Sequence, residues 1–241
     1  MVNKGARVLL DGLLPQYCSL CGLPSGTSLP LCRDCYLELP ANDHCCSRCA
    51  LPLAPAPGDD PRLCPGCLQR PPPFTLVRAP WIYEERLAHL IQRWKFDRRW
   101  YLTRLLAWLW LQREQVSEVD AIVPVPLHWT RLLRRGCNQS ELLLRELRKL
   151  RPRPLPGPIH RRLVTRNRRT TPQSGLHAPQ RAHNLRGAFT VQRPCDNLRI
   201  AIVDDVLTTG ATASSLATSL RAAGAAEVEV WCLARTPAPD S

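Results

Sequence analysis

Val203-Asp204-Asp205-Val206-Leu207-Thr208-Thr209-Gly210-Ala211-Thr212 joins an apolar run, Leu198 to Val203, to a segment of helical character, Thr212 to Ala223. The run suits a strand buried in a parallel sheet, and open α/β sheets bind ligands at the carboxyl ends of such strands. Two acids, Asp204 and Asp205, stand at that end. The small residues after them let the backbone close around a phosphate. The N–H groups and dipole of a first helical turn favour its negative charge. Thr208, Thr209 and Thr212 add hydroxyl donors, while the carboxylates suit a pair of sugar hydroxyls. The segment reads as a cradle for a sugar phosphate held end-on.

Outward from this stretch the pattern alternates. Gly224 is placed to stop the helix, and Glu227 to Leu233 completes a further strand. Upstream, Gly187 to Gln192 suggests a strand, Arg151 to Pro158 holds four prolines and is irregular, and Gln139 to Leu150 is a Leu-rich helix. Asp120 to Pro126 is a strand running into a loop, and Tyr101 to Gln115 a helix. Leu87, Leu90, Ile91 and Trp94 recur at the spacing of one buried helix face, after a strand within Leu76 to Tyr83. Strands alternating with helices predict an α/β domain: a mostly parallel sheet with flanking helices. It spans 74–241, because Pro71-Pro72-Pro73 closes off a different N-terminal composition over 1–73.

That N-terminal part is dominated by cysteine. Eight of the twelve cysteines form four Cys-x-x-Cys pairs: Cys18/Cys21, Cys32/Cys35, Cys46/Cys49 and Cys64/Cys67. Cys18-Ser-Leu-Cys21-Gly-Leu-Pro24 recurs as Cys46-Ser-Arg-Cys49-Ala-Leu-Pro52. A thiolate pair on a tight turn grips one metal and a second pair completes its tetrahedron, so the module reads as a double zinc ribbon. Sequential pairing gives one Zn2+ to Cys18, Cys21, Cys32 and Cys35, and a second to Cys46, Cys49, Cys64 and Cys67. Spacing also allows interleaved pairing, and disulfides or an iron–sulfur cluster are the competing chemistries. Cys45 competes with Cys46, and His44 is a weaker substitute. Four cysteines per site leave no open coordination position, so the role is structural.

Charge is uneven. The net charge is +13, yet residues 1–75 hold six basic and six acidic groups, so the remainder carries all of the excess. Leu147 to Cys195 has twelve Lys or Arg and no Asp or Glu, a field suited to a polyanion. The bland alternative is an arginine-rich solvated surface. The longest apolar run, Leu105 to Leu111, is far short of the roughly 20 residues of a membrane helix. Val8-Leu9-Leu10 is broken by Asp11 and Gly12 and does not read as a secretory signal. Together with thiolate-based metal binding, this places the expected location in the cytoplasm.

The Val203–Thr212 segment resembles the 5-phosphoribosyl-1-pyrophosphate (PRPP) motif of type I phosphoribosyltransferases. The resemblance implies that Asp204 and Asp205 bind the ribose 2- and 3-hydroxyls. Thr208, Thr209, Gly210, Ala211 and Thr212, entered through Val206 and Leu207, would bind the 5-phosphate. Val123-Pro124-Val125-Pro126-Leu127, Arg134-Arg135-Gly136-Cys137-Asn138-Gln139-Ser140, the Thr170/Gln173/Arg181/Asn184 series and Trp94-Lys95-Phe96 narrow the likeness. They resemble the ComF family, the competence-associated group, including GntX-like DNA-utilisation proteins, that joins a double zinc ribbon to a phosphoribosyltransferase-like domain. Cys137 departs from the family, where an aromatic residue is expected.

By the same resemblance the loop Val125 to Arg131 would hold pyrophosphate, through the Val125 and Leu127 amides and Arg131. Arg135 would join Asp204 and Asp205 as a catalytic group. Arg161 to Arg186 would form a mobile basic loop, with Arg166, Arg168, Arg169, Gln173 and Arg181 over the departing pyrophosphate or against DNA. Mg2+ would enter with PRPP. Two functions follow: a transferase using PRPP, or a binding or adaptor protein for single-stranded DNA among DNA uptake proteins. Trp81, Trp94, Trp100 and Trp129 are the candidate stacking faces of the second.

Overall fold

The computed structural model describes residues 16–55, 62–114, 116–127, 130, 132–133, 136–167 and 187–238. Two short helices, α1 (Arg33–Leu37) and α2 (Pro65–Gln69), sit in the N-terminal part. Each starts directly after a cysteine, Cys32 or Cys64, in extended conformation. Pro65 suits the first helical position, where no N–H partner is needed.

The α/β part is built on a four-stranded parallel sheet. Its strands are β1 (Leu76–Arg78), β3 (Ala121–Pro124), β6 (Arg199–Val203) and β8 (Glu227–Trp231) in the order β1-β8-β6-β3. Every pairing within it is parallel. Ile159 extends the β3 edge, with Ile122 N–H donating to Pro158 O and His160 N–H to Ile122 O. A smaller parallel sheet joins β2 (Trp81–Ile82), β9 (Ala234–Arg235) and β7 (Val206–Leu207). The single stretch expected over Leu76 to Tyr83 is therefore two strands in two sheets, divided at Ala79-Pro80.

Four helices flank the large sheet: α3 (Glu85–Phe96), α4 (Leu102–Leu111), α5 (Gln139–Leu150) and α6 (Ala211–Ala222). The α3 face is as its spacing predicts, with Leu87, Leu90, Ile91 and Trp94 all buried. Each contributes about 1.5–3 kcal/mol of apolar burial. Helix α5 begins at Asn138, whose side chain accepts from Ser140 N–H as an N-cap. Trp110 on α4 donates its indole N–H to Cys232 O and packs on Trp231. Helix α6 ends where Gly224 adopts φ +100°.

One segment differs from expectation. Val164–Arg166, inside the stretch read as a basic loop, is a strand, β4, paired antiparallel with β5 (Phe189–Val191). Val164 and Arg166 are buried while Thr165 is half-exposed, an alternation hidden by the surrounding arginines. The ribbon residues are joined to the small sheet by backbone bonds, Asn42 N–H to Pro80 O and Ile82 N–H to Pro40 O. No described helix is long and apolar enough to cross a membrane.

Candidate functional site

Strand β6 is buried from Ile200 to Val203, and Asp204 and Asp205 emerge from its carboxyl end. Their own loop takes up part of each carboxylate. Asp205 N–H donates to Asp204 Oδ1 at 2.8 Å, and Val206 N–H to Asp205 Oδ1 at 2.6 Å. Asp205 Oδ1 also receives the Lys95 ammonium at 2.9 Å, from the last turn of α3. Burial and then the adjacent Asp205 charge push the Asp204 carboxyl up to about 7, against the opposing pull of its amide bond and Lys95.

The chain then turns through β7 into α6. Gly210 takes φ +76°, the left-handed conformation glycine reaches without a Cβ penalty, and serves as the helix N-cap. Thr208 and Thr209 are exposed, and Thr209 Oγ1 lies 3.4 Å from Ala211 N–H. The stretch leading into α6 is exposed at Thr208 and Thr209, and no bulky side chain occurs in the sequence from Thr208 to Ala213.

Arg235 supports this loop from behind. It is buried, at 7% exposure, and its Nη1 donates to Leu207 O at 3.0 Å, to Thr208 O and to Thr236 O at 2.8 Å. Its Nε donates to Cys49 O at 3.2 Å. The loop and the N-terminal cysteine module therefore share one guanidinium.

The cysteines form two four-membered groups, Cys18/Cys21/Cys32/Cys35 and Cys46/Cys49/Cys64/Cys67, with all sulfurs of a group within 4.8 Å of one another. Pairing is sequential, which resolves the choice left open by spacing. Cys21 and Cys32 sulfurs are 3.8 Å apart and those of Cys49 and Cys64 are 3.6 Å apart. A tetrahedral zinc with bonds of about 2.3 Å needs edges of about 3.8 Å, whereas a disulfide needs about 2.05 Å. The groups fit zinc. Within each, one thiol is readied as an anion. Burial opposes ionisation of Cys18 and Cys46, but backbone amides outweigh it and bring them to about 6 and about 7. Burial and neighbouring thiols push Cys35 and Cys67 up. Cys45 and His44 belong to neither group.

A double zinc ribbon family model matches residues 9–68. The DNA utilization protein YhgH of Salmonella typhimurium is 37% identical over 92% of this chain and 98% of that protein. The Escherichia coli K12 protein of the same name is 36% identical with the same coverage. Competence protein F of Haemophilus influenzae is 36% identical over 71% of this chain and 78% of its own.

The chain belongs to the ComF family.

Among solved structures, the glutamine PRPP amidotransferase of Bacillus subtilis has 20% identity over 54% of this chain and 25% of its own, at TM-score 0.33. A Pyrococcus horikoshii purine phosphoribosyltransferase has 18% identity over 59% and 73%, at TM-score 0.28. A Staphylococcus aureus hypoxanthine phosphoribosyltransferase has 13% over 64% and 76%, at TM-score 0.30.

In this ComF-family chain the residues singled out from sequence distribute unevenly. All eight paired cysteines gather as anticipated, and Asp204 to Thr212 run from the end of β6 through β7 into the first turn of α6. Arg131, Arg135, Arg168, Arg169, Gln173 and Arg181 lie outside the described residues, as do Arg134, Thr170, Asn184 and Trp129. The Val125 amide is not available to a ligand, because it donates to Val203 O at 2.9 Å and continues the sheet ladder. Leu127 is half-buried beside it and lines a cleft of about 520 Å³ with Arg145, Arg161, Arg162 and Arg166. Arg166 is held over the Phe189 ring at 5.5 Å, so it is a strand residue and not a loop tip. Trp81 and Trp94 are core side chains with their indole N–H groups bonded to Leu109 O and Thr103 Oγ1. Neither presents a stacking face. Cys137 is half-buried beside the same cleft, a smaller filling than an aromatic would give.

Lys95 and Arg235 contact the candidate site without a site role assigned from sequence, although Trp94-Lys95-Phe96 is among the stretches that carry the family resemblance. For Lys95 a signal existed: it is one of three lysines in an arginine-rich chain, on the helix end next to a fully buried Trp94. For Arg235 nothing in the sequence distinguishes it.

Proposed function

We propose that this chain binds PRPP with Mg2+ at the carboxyl end of β6 and serves, in the cytoplasm, the uptake, processing or nutritional use of external DNA. The observation that carries the reading is the placement of Asp204 and Asp205 at the carboxyl end of buried strand β6, followed within a few residues by the exposed Thr208–Thr209 turn and the Gly210 N-cap of α6. Ribose hydroxyls would displace Lys95 from Asp205 or share the carboxylate with it, and the 5-phosphate would sit on the Thr208–Thr212 backbone. Mg2+ would ride on the substrate's phosphates, since both site carboxylates already accept loop amides. The reaction class is phosphoribosyl transfer, in which the chain positions C1 and stabilises the departing pyrophosphate with arginines. Two zinc ions in the cysteine groups would hold the ribbons rigid. Names of the curated relatives support the DNA-related role.

Calorimetric titration with PRPP and Mg2+ tests it. Wild type binds below millimolar PRPP, and Asp205→Asn, which keeps an oxygen for Val206 N–H, weakens binding at least about tenfold. No heat at millimolar PRPP would end the proposal.

A second reading, contact with single-stranded DNA, has its own support. The cleft lined by Arg145, Arg161, Arg162 and Arg166 adjoins another of about 560 Å³ lined by His160, Arg161, Arg162 and Arg193. Shared Arg161 and Arg162 make one basic track, with Glu141 opposing it at 3.5 Å from Arg161. DNA affinity that falls steeply with salt, and is unmoved by Asp205→Asn, is the expected signature.

A further inference from the structure

Arg235 carries an arrangement that the ligand reading does not require. Its guanidinium is buried, and among the described residues no carboxylate lies within ion-pair distance of it. All four of its hydrogen bonds go to backbone carbonyls: Leu207, Thr208 and Thr236 on the phosphate-loop side, and Cys49 on the cysteine side. Burying a cation against carbonyls alone is costly unless a negative centre is near. Cys49 is a member of the second four-cysteine group, and four thiolates around Zn2+ carry a net charge of −2. A metal-loaded group would thus add negative charge on the Cys49 side, while Asp204 and Asp205, which act with Arg235 on buried Cys232, supply it on the other.

The two ends of this bridge respond differently to metal. The Cys46–Ala50 knuckle owes its shape to the metal-gripping turn, with Ala50 at φ +52° and its N–H bonded to Cys46 O. Small cysteine modules of this kind lose their structure without metal. The Leu207–Gly210 turn is anchored at its ends by the β7–β9 ladder at Leu207 and by Ser214 N–H to Gly210 O, and between them the Thr208 carbonyl accepts from Arg235. Asn42 ties the same knuckle to the link between β1 and β2 by donating to Ala50 O at 2.9 Å and Ala79 O at 3.0 Å. Among the described residues no comparable tie to the turn comes from the first cysteine group, where Ser19 O is held by Arg93 on α3.

We propose that Arg235 is a positioning residue that makes the phosphate-loop conformation depend on metal in the Cys46/Cys49/Cys64/Cys67 group, so that zinc and the sugar-phosphate ligand bind with positive linkage. The ligand half of this rests on the PRPP reading; the loop half does not. Linkage is reciprocal: if zinc raises affinity for PRPP, PRPP must raise affinity for zinc by the same coupling free energy. The guanidinium transmits it because its planar fork holds donors to both segments at fixed geometry, which a lysine ammonium cannot do.

The test is hydrogen-exchange mass spectrometry of the full chain, zinc-loaded and chelator-treated, reading the 207–212 amides. In wild type, zinc removal speeds their exchange by roughly tenfold, the usual scale of such coupling. In Arg235→Lys, with two zincs per chain retained, the loaded protein already exchanges fast and chelation adds little. Loop protection unchanged by chelation in wild type overturns the proposal without needing any variant. If Arg235→Lys does not fold, Arg235→Gln, which keeps one amide donor, takes its place with the same expected outcome. In parallel, PRPP with Mg2+ lowers the fraction of zinc that a competing chromogenic chelator holds at equilibrium in wild type but not in the variant. Zinc-dependent loop exchange in a protein that does not bind PRPP would sink the ligand reading and leave the tie standing.

Discussion

Lys95 Nζ lies 2.9 Å from Asp205 Oδ1, which sets the end of α3 directly over the carboxyl end of β6. Both side chains are largely buried, at 13% and 15% exposure, so this pair is not a weak surface ion pair. The ammonium offsets two adjoining carboxylates where the sheet ends. It also ties the helical layer, and through Arg93 and Ser19 O the first cysteine group, to the candidate site.

Lys95→Met removes that cation and leaves the acid pair uncompensated. The expected loss of stability is about 1–3 kcal/mol, since breaking one side of a buried pair strands the other. Lys95 lowers the Asp204 carboxyl, so its loss pushes Asp204 further up. The destabilisation should therefore be larger at pH 8 than at pH 5, where the carboxyl is protonated. Thermal melts at both values measure it; an equal shift at each pH would contradict the influence of Lys95 on Asp204.

Asp204 gives a pH dependence of its own. Its folded-state carboxyl is raised from 3.8 to about 7, by burial first and the Asp205 charge second. A carboxyl raised on folding binds its proton more tightly when folded. Stability from this group is thus greatest below about pH 4 and declines as pH rises toward about 7. Asp204→Asn removes the decline: it should match wild type near pH 4 and exceed it at pH 8. The same variant should lose PRPP affinity, while wild-type affinity rises between pH 6 and pH 8. Calorimetry across that range, beside melting curves, separates the two effects.

Metal content tests the sequential grouping. Wild type should hold two zincs per chain by mass spectrometry of the metal. Cys64→Ser should hold one, because each ion needs four thiolates of one group. Cys45→Ser should still hold two, since Cys45 lies outside both groups.

Gly224→Ala should cost about 1–3 kcal/mol in a denaturant titration, from left-handed strain and a clash together. A Cβ there would meet Asp196 Oδ1 at 2.3 Å and the Asp196 backbone at 3.1 Å, at φ +100°. The Asp196 side chain can turn aside, but its main chain cannot. A neutral outcome would mean that the α6–β8 turn relaxes without loss.

The sequence by itself determined the pieces whose signals are local. Four Cys-x-x-Cys pairs, the buried face of α3, the Asn138-led helix α5 and the acid pair before a small-residue turn are each written within a few consecutive residues. Periodicity and spacing suffice for them because backbone geometry fixes which neighbours share a face or a metal. Strand β4 escaped because its two inward positions, Val164 and Arg166, include a charged one, so the alternation carried no apolar mark. Only the tertiary structure decided what meets across the chain: Lys95 with Asp205, Arg235 with Cys49 and the phosphate loop, and the Val125 amide with Val203 rather than a ligand. These are contacts between segments far apart in sequence, and a long flexible side chain gives no hint of its partner until the packing of sheets and helices brings one within reach.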